Sequence, residues 1–164
     1  MKLYFKEAAW EEMKEVADIY NEFLISLRDI TKDQYFDFED LSLEERTKLL
    51  QERLENDRGQ VILVRDGDKA DEIIAFISFS IINCFLIVSS VKEIGYIDGA
   101  YVKEGYRNMG LLRKLDEIAV NELKKSGISY LELNTIASNK MANDAWSKLG
   151  YKVFRQQWRK DISG

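Results

Sequence analysis

The chain has no histidine, no proline and one cysteine among 164 residues. Each absence removes chemistry. Without histidine there is no imidazole general base, no Ser-His-Asp arrangement and no His metal site. A lone cysteine, Cys84, rules out an internal disulfide and a cysteine cluster for zinc or iron–sulfur. Its place in the apolar run from Ile81 to Val88 reads as a small buried hydrophobe rather than a nucleophile. Without proline, no cis-Pro turn or Pro kink is available. A basic face is lacking too. Lys and Arg number 24 against 29 Asp and Glu, a net charge of −5, which argues against a general nucleic-acid binder and leaves cationic partners open. The longest apolar region, Ile73 to Val88, contains Asn83 and serines and is rich in β-branched residues, so it reads as strand material and not a membrane span. The start, Met1 to Lys6, meets charge too soon for a signal peptide. A cytoplasmic location is expected. With 46% hydrophobic and 32% charged residues, the composition suits one globular domain over residues 1–164.

What is present is periodicity. Residues 2–8 alternate as a short strand. From Trp10 to Arg28 the apolar residues Trp10, Met13, Val16, Ala17, Ile19, Tyr20, Phe23, Leu24 and Leu27 fall at helical spacing. Ser42-Leu43-Glu44-Glu45 is a capping box that opens a second helix running to about Glu55. Strands are predicted over 60–65, 73–82 and 93–102, with a turn from Asp66-Gly67 through Asp71 and a loop or hairpin at 83–92. A helix after Arg107 ends at Gly127. A strand over 128–134, a helix over 139–149 stopped by Gly150, and a strand over 151–159 complete the chain. The order is β-α-α-β-β-β-α-β-α-β, an α/β (α+β) class chain. The β-α-β crossover after Arg107 should be right-handed and make its two strands parallel.

The segment Tyr101-Val-Lys-Glu-Gly-Tyr-Arg-Asn-Met-Gly-Leu-Leu112 joins an apolar strand to a long amphipathic helix. A helix start presents unpaired backbone N–H groups and a partial positive charge. Gly110 at that start lets the backbone come close to a bound group. Strand, short loop, glycine and helix together suit a phosphate or diphosphate. The plain alternative is a solvated turn with a cap.

Two motifs extend this reading. Arg107-Asn-Met-Gly110-Leu-Leu112 resembles the Arg/Gln-x-x-Gly-x-Gly/Ala loop of the GNAT superfamily of acetyl-CoA-dependent N-acetyltransferases. Asn139-Lys-Met-Ala142-Asn-Asp-Ala-Trp146-Ser-Lys-Leu-Gly150-Tyr151 resembles that family's Asn-x-x-Ala-x-x-x-Tyr-x-x-x-Gly-Phe segment. The resemblance covers residues 93–159; the first ninety residues fit by element order. It implies a mixed, mostly antiparallel sheet with helices on both faces and parallel strands splayed at the cofactor site. Acetyl-CoA would be the acetyl donor, and no metal is implied. The loop departs from the family pattern at Leu112, where only backbone N–H contacts are expected, and the second motif departs at Trp146.

The resemblance assigns the diphosphate to the backbone of Arg107, Asn108, Met109, Gly110, Leu111 and Leu112, with the Arg107 side chain adding a cation. A bulge near Ala100, Tyr101 and Val102 would part the strands, and their freed backbone would pair with the pantetheine arm and polarise the thioester carbonyl. Asn139 and Ala142 would lie along the same arm, unless Asn139 is simply a helix N-cap. A protonated amine cannot attack, so its proton needs an acceptor. Asp98 is the candidate, a carboxylate inside an apolar strand on the face expected to carry Ala100 and Val102; a salt bridge or exposure on the sheet face is the alternative. Tyr96 shares that face and could orient substrate or water. Trp146 stands where the family has tyrosine, and indole yields no proton at neutral pH. Either turnover proceeds without that acid, using water or another tyrosine, or the protein binds acetyl-CoA with little turnover. The acceptor side is expected in residues 29–40, where Asp29, Asp33, Asp37, Glu39 and Asp40 face one opposing Lys32 and Tyr35, Phe36 and Phe38 are interleaved. Asp33, Tyr35 and Asp37 would receive a cationic amine by charge and cation–π attraction. The alternative is a solvated acidic loop with its aromatics in the core. Phe85 to Val88 is either core or a hairpin covered by a second subunit in a homodimer.

Overall fold

The computed structural model describes residues 1–38 and 41–163. Its contacts fall into two compact units, Met1–Asn134 and Thr135–Gly164. The first unit opens with strand β1 (Leu3–Glu7). A single 3-10 turn at Trp10–Glu12 follows, so the first α-helix, α1, begins at Met13 and runs to Thr31, later at both ends than its spacing predicts. Glu12 explains the delay: its carboxylate accepts the Ala9 N–H at 2.7 Å and tightens that turn. Helix α2 (Leu43–Asn56) starts on the predicted capping box. Glu45 N–H donates to Ser42 Oγ at 3.2 Å and Ser42 N–H to Glu45 Oε2 at 2.8 Å.

Strands β2 (Gln60–Asp66), β3 (Glu72–Asn83) and β4 (Glu93–Val102) are antiparallel neighbours. Helix α3 (Leu111–Lys125) crosses over to β5 (Leu131–Leu133), which is parallel to β4. The sheet order is β1-β2-β3-β4-β5. The mixed, mostly antiparallel sheet with one parallel pair therefore stands as the sequence predicts. Helices cover both faces, so β2 and β3 are continuous apolar runs with little alternation. On one face Met13, Val16 and Ile19 of α1 and Leu54 of α2 close over Val61, Leu63, Ile73 and Phe76. Burying each such side chain contributes about 1.5–3 kcal/mol. Leu115, Ala119 and Leu123, one buried stripe of α3, serve the other face.

Three expectations need correction. β5 is three residues long, not seven. Its ladder with β4 stops at the Ile97–Leu133 pair, because Asp98 is then extruded as a bulge. Cys84 lies in the β3–β4 loop and is half-buried, not a core hydrophobe. Its neighbours Leu86, Ile87 and Val88 face solvent, Ile87 being 90% exposed.

In the second unit, helix α4 (Lys140–Lys148) is capped by Asn139 and stopped by Gly150 at φ 97°. The third correction belongs here: no strand forms over 151–159 among the described residues, and Val153, Phe154 and Trp158 are exposed. A strand requires a ladder partner as well as apolar residues.

Candidate active site

The break in β4 organises the site. Ser78 pairs with Gly99 and Phe79 with Ile97, so Asp98 is one residue too many on β4. The bulge lies ahead of the predicted position at Ala100–Val102. It also reverses the predicted faces. Tyr101 pairs with Phe76, and its ring sits 6.2 Å from Phe23 of α1. Ala100 and Val102 alternate with Tyr101 and so face away from α1, toward the α3 side. Asp98 and Tyr96 face α1 and α2. Asp98 thus does not share a face with Ala100 and Val102; the inserted residue separates them.

The Asp98 side chain is only 6% exposed and is well partnered. Arg53 of α2 donates to Oδ1 at 2.6 Å and Ser80 Oγ to Oδ2 at 2.9 Å. Tyr20 of α1 places its hydroxyl 3.5 Å from the Asp98 carbonyl oxygen. Burial pushes the Tyr20 phenol above its ordinary pKa, with Arg53 opposing and Asp98 and Tyr96 adding to the rise. Burial also works against the Arg53 charge, but the Asp98 hydrogen bond and charge outweigh it and raise its pKa. A carboxylate has about four acceptor positions, so the Arg53 and Ser80 bonds leave capacity for a further donor. Arg53, Ser80 and Tyr20 were not anticipated. They lie 45, 18 and 78 residues from Asp98, and no local pattern links them.

Beyond Val102 the chain makes a 3-10 turn at Glu104–Tyr106 and enters α3 through an exposed arc. Asn108 (φ 62°) and Gly110 (φ 77°) are both left-handed. Gly110 is the helix N-cap, so α3 begins at Leu111. The first helical bond is Lys114 N–H to the Gly110 carbonyl. Residues 107 and 108 form a turn, and the N–H groups of Asn108 and of Gly110 through Arg113 find no backbone acceptor among the described residues. A Cβ built on Gly110 would meet nothing within 4 Å, so the space over the arc is open. Arg107 folds back and its Nε donates to the Val102 carbonyl at 3.1 Å, tying the arc to the strand end. A fan of N–H groups at a helix N-terminus below open space fits a diphosphate.

The remaining candidates are placed as follows. In residues 29–38, Asp33 caps a short 3-10 turn, its Oδ1 accepting from Tyr35 N–H at 2.9 Å. Tyr35 is 76% exposed and Asp37 is exposed. The Phe38 ring carries the Arg28 guanidinium 5.5 Å from its centroid. Glu39 and Asp40 lie outside the described residues. In the second unit, Asn139 Oδ1 accepts the Ala142 N–H at 3.2 Å, so Asn139 is an N-cap. Trp146 is 9% exposed and packs edge-on against Tyr151, ring centroids 5.2 Å apart. Among the described residues no helix is long and apolar enough to cross a membrane.

Residues 24–151 match the profile of the acetyltransferase (GNAT) family. Among solved structures, a predicted acetyltransferase from Clostridium acetobutylicum with acetyl-CoA is similar at TM-score 0.75 and 16% identity, over 98% of this chain and 97% of that one. Glucosamine-6-phosphate N-acetyltransferase from Arabidopsis thaliana is similar at TM-score 0.69 and 18% identity, over 99% and 100%. An aminoglycoside 6'-N-acetyltransferase from Acinetobacter haemolyticus is similar at TM-score 0.72 and 15% identity, over 98% and 99%. Curated protein sequences give no match.

Proposed function

Because the chain belongs to the acetyltransferase (GNAT) family, we propose that it moves an acetyl group from acetyl-CoA to a primary amine of a cationic small molecule or peptide. The observation that carries this reading is the exposed arc before α3, with its unbonded N–H groups and the open space over Gly110. Asn108 to Leu112 would hold the diphosphate. The backbone of Ala100 to Val102, past the end of the β4–β5 ladder, would hold the pantetheine arm. Asn139 and Ala142 are assigned to the same arm by their motif. The acyl group would be transferred by direct attack of the amine, through a tetrahedral intermediate that collapses with loss of the thiolate.

Asp98 would accept the amine's proton. Its Arg53 and Ser80 bonds fix the carboxylate, and the acceptor's ammonium would add the third bond. Tyr96 would orient the acceptor or a water. Asp33, Tyr35 and Asp37 would draw a cationic acceptor toward this end of α1. Fold neighbours that act on amine-bearing sugars support an amine as the acceptor class. A homodimer in which a second copy covers Phe85 to Val88 belongs to the same proposal; sedimentation at micromolar concentration tests it.

Trp146 favours a second reading. Indole cannot protonate a leaving thiolate. Thiols have a pKa near 8.5 and leave without much help, and a general acid is worth about 10²–10⁴-fold. With that factor missing, the protein would act as an acetyl-CoA-binding regulatory domain with little turnover. Two measurements separate the readings. Acetyl-CoA should raise the melting temperature by mass action where phosphate does not. Thiol release is then followed against a panel of amines. Release above background with any amine supports the enzyme; stabilisation without release supports the binding domain. No stabilisation overturns both.

A further inference from the structure

The arc that carries the exposed N–H groups is suspended between two buried side chains, Tyr106 before it and Leu111 after it. Leu111 is held by packing. Tyr106 is held by packing and by a buried polar contact: its hydroxyl donates to Asp66 Oδ2 at 2.9 Å. Asp66 ends β2, forty residues away in sequence, and is 2% exposed. Its other oxygen accepts the Asp68 N–H at 3.1 Å. The Lys69 ammonium lies 5.0 Å from the centroid of the Tyr106 ring. The same turn is clamped at Lys103, whose N–H donates to the Ile74 carbonyl at 2.9 Å and whose ammonium pairs with Glu72 at 2.9 Å and Glu22 at 3.2 Å.

A buried carboxylate is costly unless donors satisfy it. Phenylalanine at 106 with a neutral residue at 66 would fill the same volume without that cost. The hydroxyl–carboxylate pair therefore adds direction: it fixes where the turn sits over the β2–β3 hairpin. Arg107 to Gly110 continue directly from that fixed point, and they have no buried side chain of their own.

We infer that the Tyr106–Asp66 pair positions the diphosphate cradle, setting the register of the Asn108–Leu112 amides before any cofactor arrives. This rests on the donor-site reading above. Tyr106 and Asp66 touch no substrate; they are positioning residues that act through the backbone. Preorganised amides bind an anion without an ordering cost, so loosening the anchor weakens affinity without removing a contact.

The test is calorimetry with acetyl-CoA, which needs no acceptor, together with hydrogen exchange of the loop amides in the free protein. Tyr106→Phe should weaken acetyl-CoA binding about tenfold, the size of one hydrogen bond to a charged group. It should also speed exchange at 108–112. Asp66→Asn keeps an acceptor for the hydroxyl and should stay within about threefold of the parent. Val61→Ala, a core change in the same unit, should lower the melting temperature and leave affinity unchanged. Unchanged affinity in Tyr106→Phe overturns the proposal, whatever its melting temperature. If Tyr106→Phe fails to fold, Asp66→Ala removes the acceptor instead, and the same criteria apply. If the parent protein takes up no acetyl-CoA, the donor-site reading fails and exchange decides alone. Faster exchange at 108–112 then upholds the anchor, and unchanged exchange overturns it.

Discussion

Gly110 offers a clean separation of folding from binding. Its φ of 77° is left-handed, and a Cβ there would meet no atom within 4 Å. Gly110→Ala therefore creates no clash inside the protein. Its cost is backbone strain alone, about 1–2 kcal/mol. For a chain of this length each kcal/mol lowers the melting temperature by roughly 2–4 °C. Gly110→Asn should cost less, because Asn tolerates the left-handed region. Any loss of acetyl-CoA affinity beyond these folding costs then reports an occupant of the open space.

Gly110→Glu carries the argument to its limit. The strain matches that of alanine, so the melting temperature should fall by a similar amount. The added carboxylate would stand against the diphosphate. Each unit of like charge at about 4 Å costs between ~1 kcal/mol in water-like surroundings and ~4 kcal/mol near a protein surface. With the loss of room added, affinity should fall by more than a hundredfold. Thermal unfolding and titration calorimetry on Ala, Asn and Glu variants give both quantities. A Gly110→Glu protein that folds and binds acetyl-CoA as tightly as the parent would refute the assignment of the cradle.

Asp98→Asn keeps the shape and one acceptor oxygen, which can stay with Arg53; its NH2 replaces the other oxygen, so Ser80 Oγ must turn to accept where it now donates, and Arg53 is exposed enough to stay solvated. The fold should lose about 1 kcal/mol or less; thiol release should drop far more at neutral pH than at high pH, where the amine is already neutral, and an equal loss at both rejects the base role. Trp146→Tyr should raise turnover by about 10²-fold or more if the missing acid limits the rate; a stopped-flow thiol assay that shows no gain removes the acid from the account. Burial opposes the Glu12 charge, but Lys6, the Ala9 N–H and Arg65 outweigh it and hold its pKa below the ordinary glutamate value. Its contribution to stability is thus complete above that ordinary value, about 4.3, and is lost as pH falls through the depressed one; Glu12→Gln should flatten the acid side of the melting curve, and an unchanged slope contradicts the linkage.

Local grammar was readable and long-range pairing was not. Ser42 with Glu45, Gly127 and Gly150 mark helix ends by side-chain or backbone chemistry contained within four residues, and each stands where the pattern puts it. Gly110 was readable for the same reason. The length of β5 was not, because a strand ends where its partner's ladder ends, and the Asp98 bulge that ends it is set across β3. Residues 151–159 show the converse: apolar residues without a ladder make no strand. Arg53 and Tyr106 could not be found from sequence, since their partners lie 45 and 40 residues away on other elements.

Two glycines of β4 show how much follows from one extra residue. Gly95 and Gly99 are four apart, and in a regular strand both would point to the same face. They do not. A Cβ on Gly95 would come within 2.6 Å of Leu123 on α3, whereas one on Gly99 would meet Phe23 at 3.1 Å and Tyr20 at 3.3 Å on α1. Opposite helices press on the same strand at these two points, which is possible only because Asp98 is inserted between them. Without the insertion, Ala100 and Val102 would turn toward α1 and Tyr101 would lose its place beside Phe23. The bulge therefore does three things together: it ends the parallel ladder, it delivers a carboxylate to Arg53, and it turns the strand end that leads into the cradle toward the α3 side. A residue that sequence periodicity treats as one more strand position is the pivot between the acceptor side and the donor side of the proposed site.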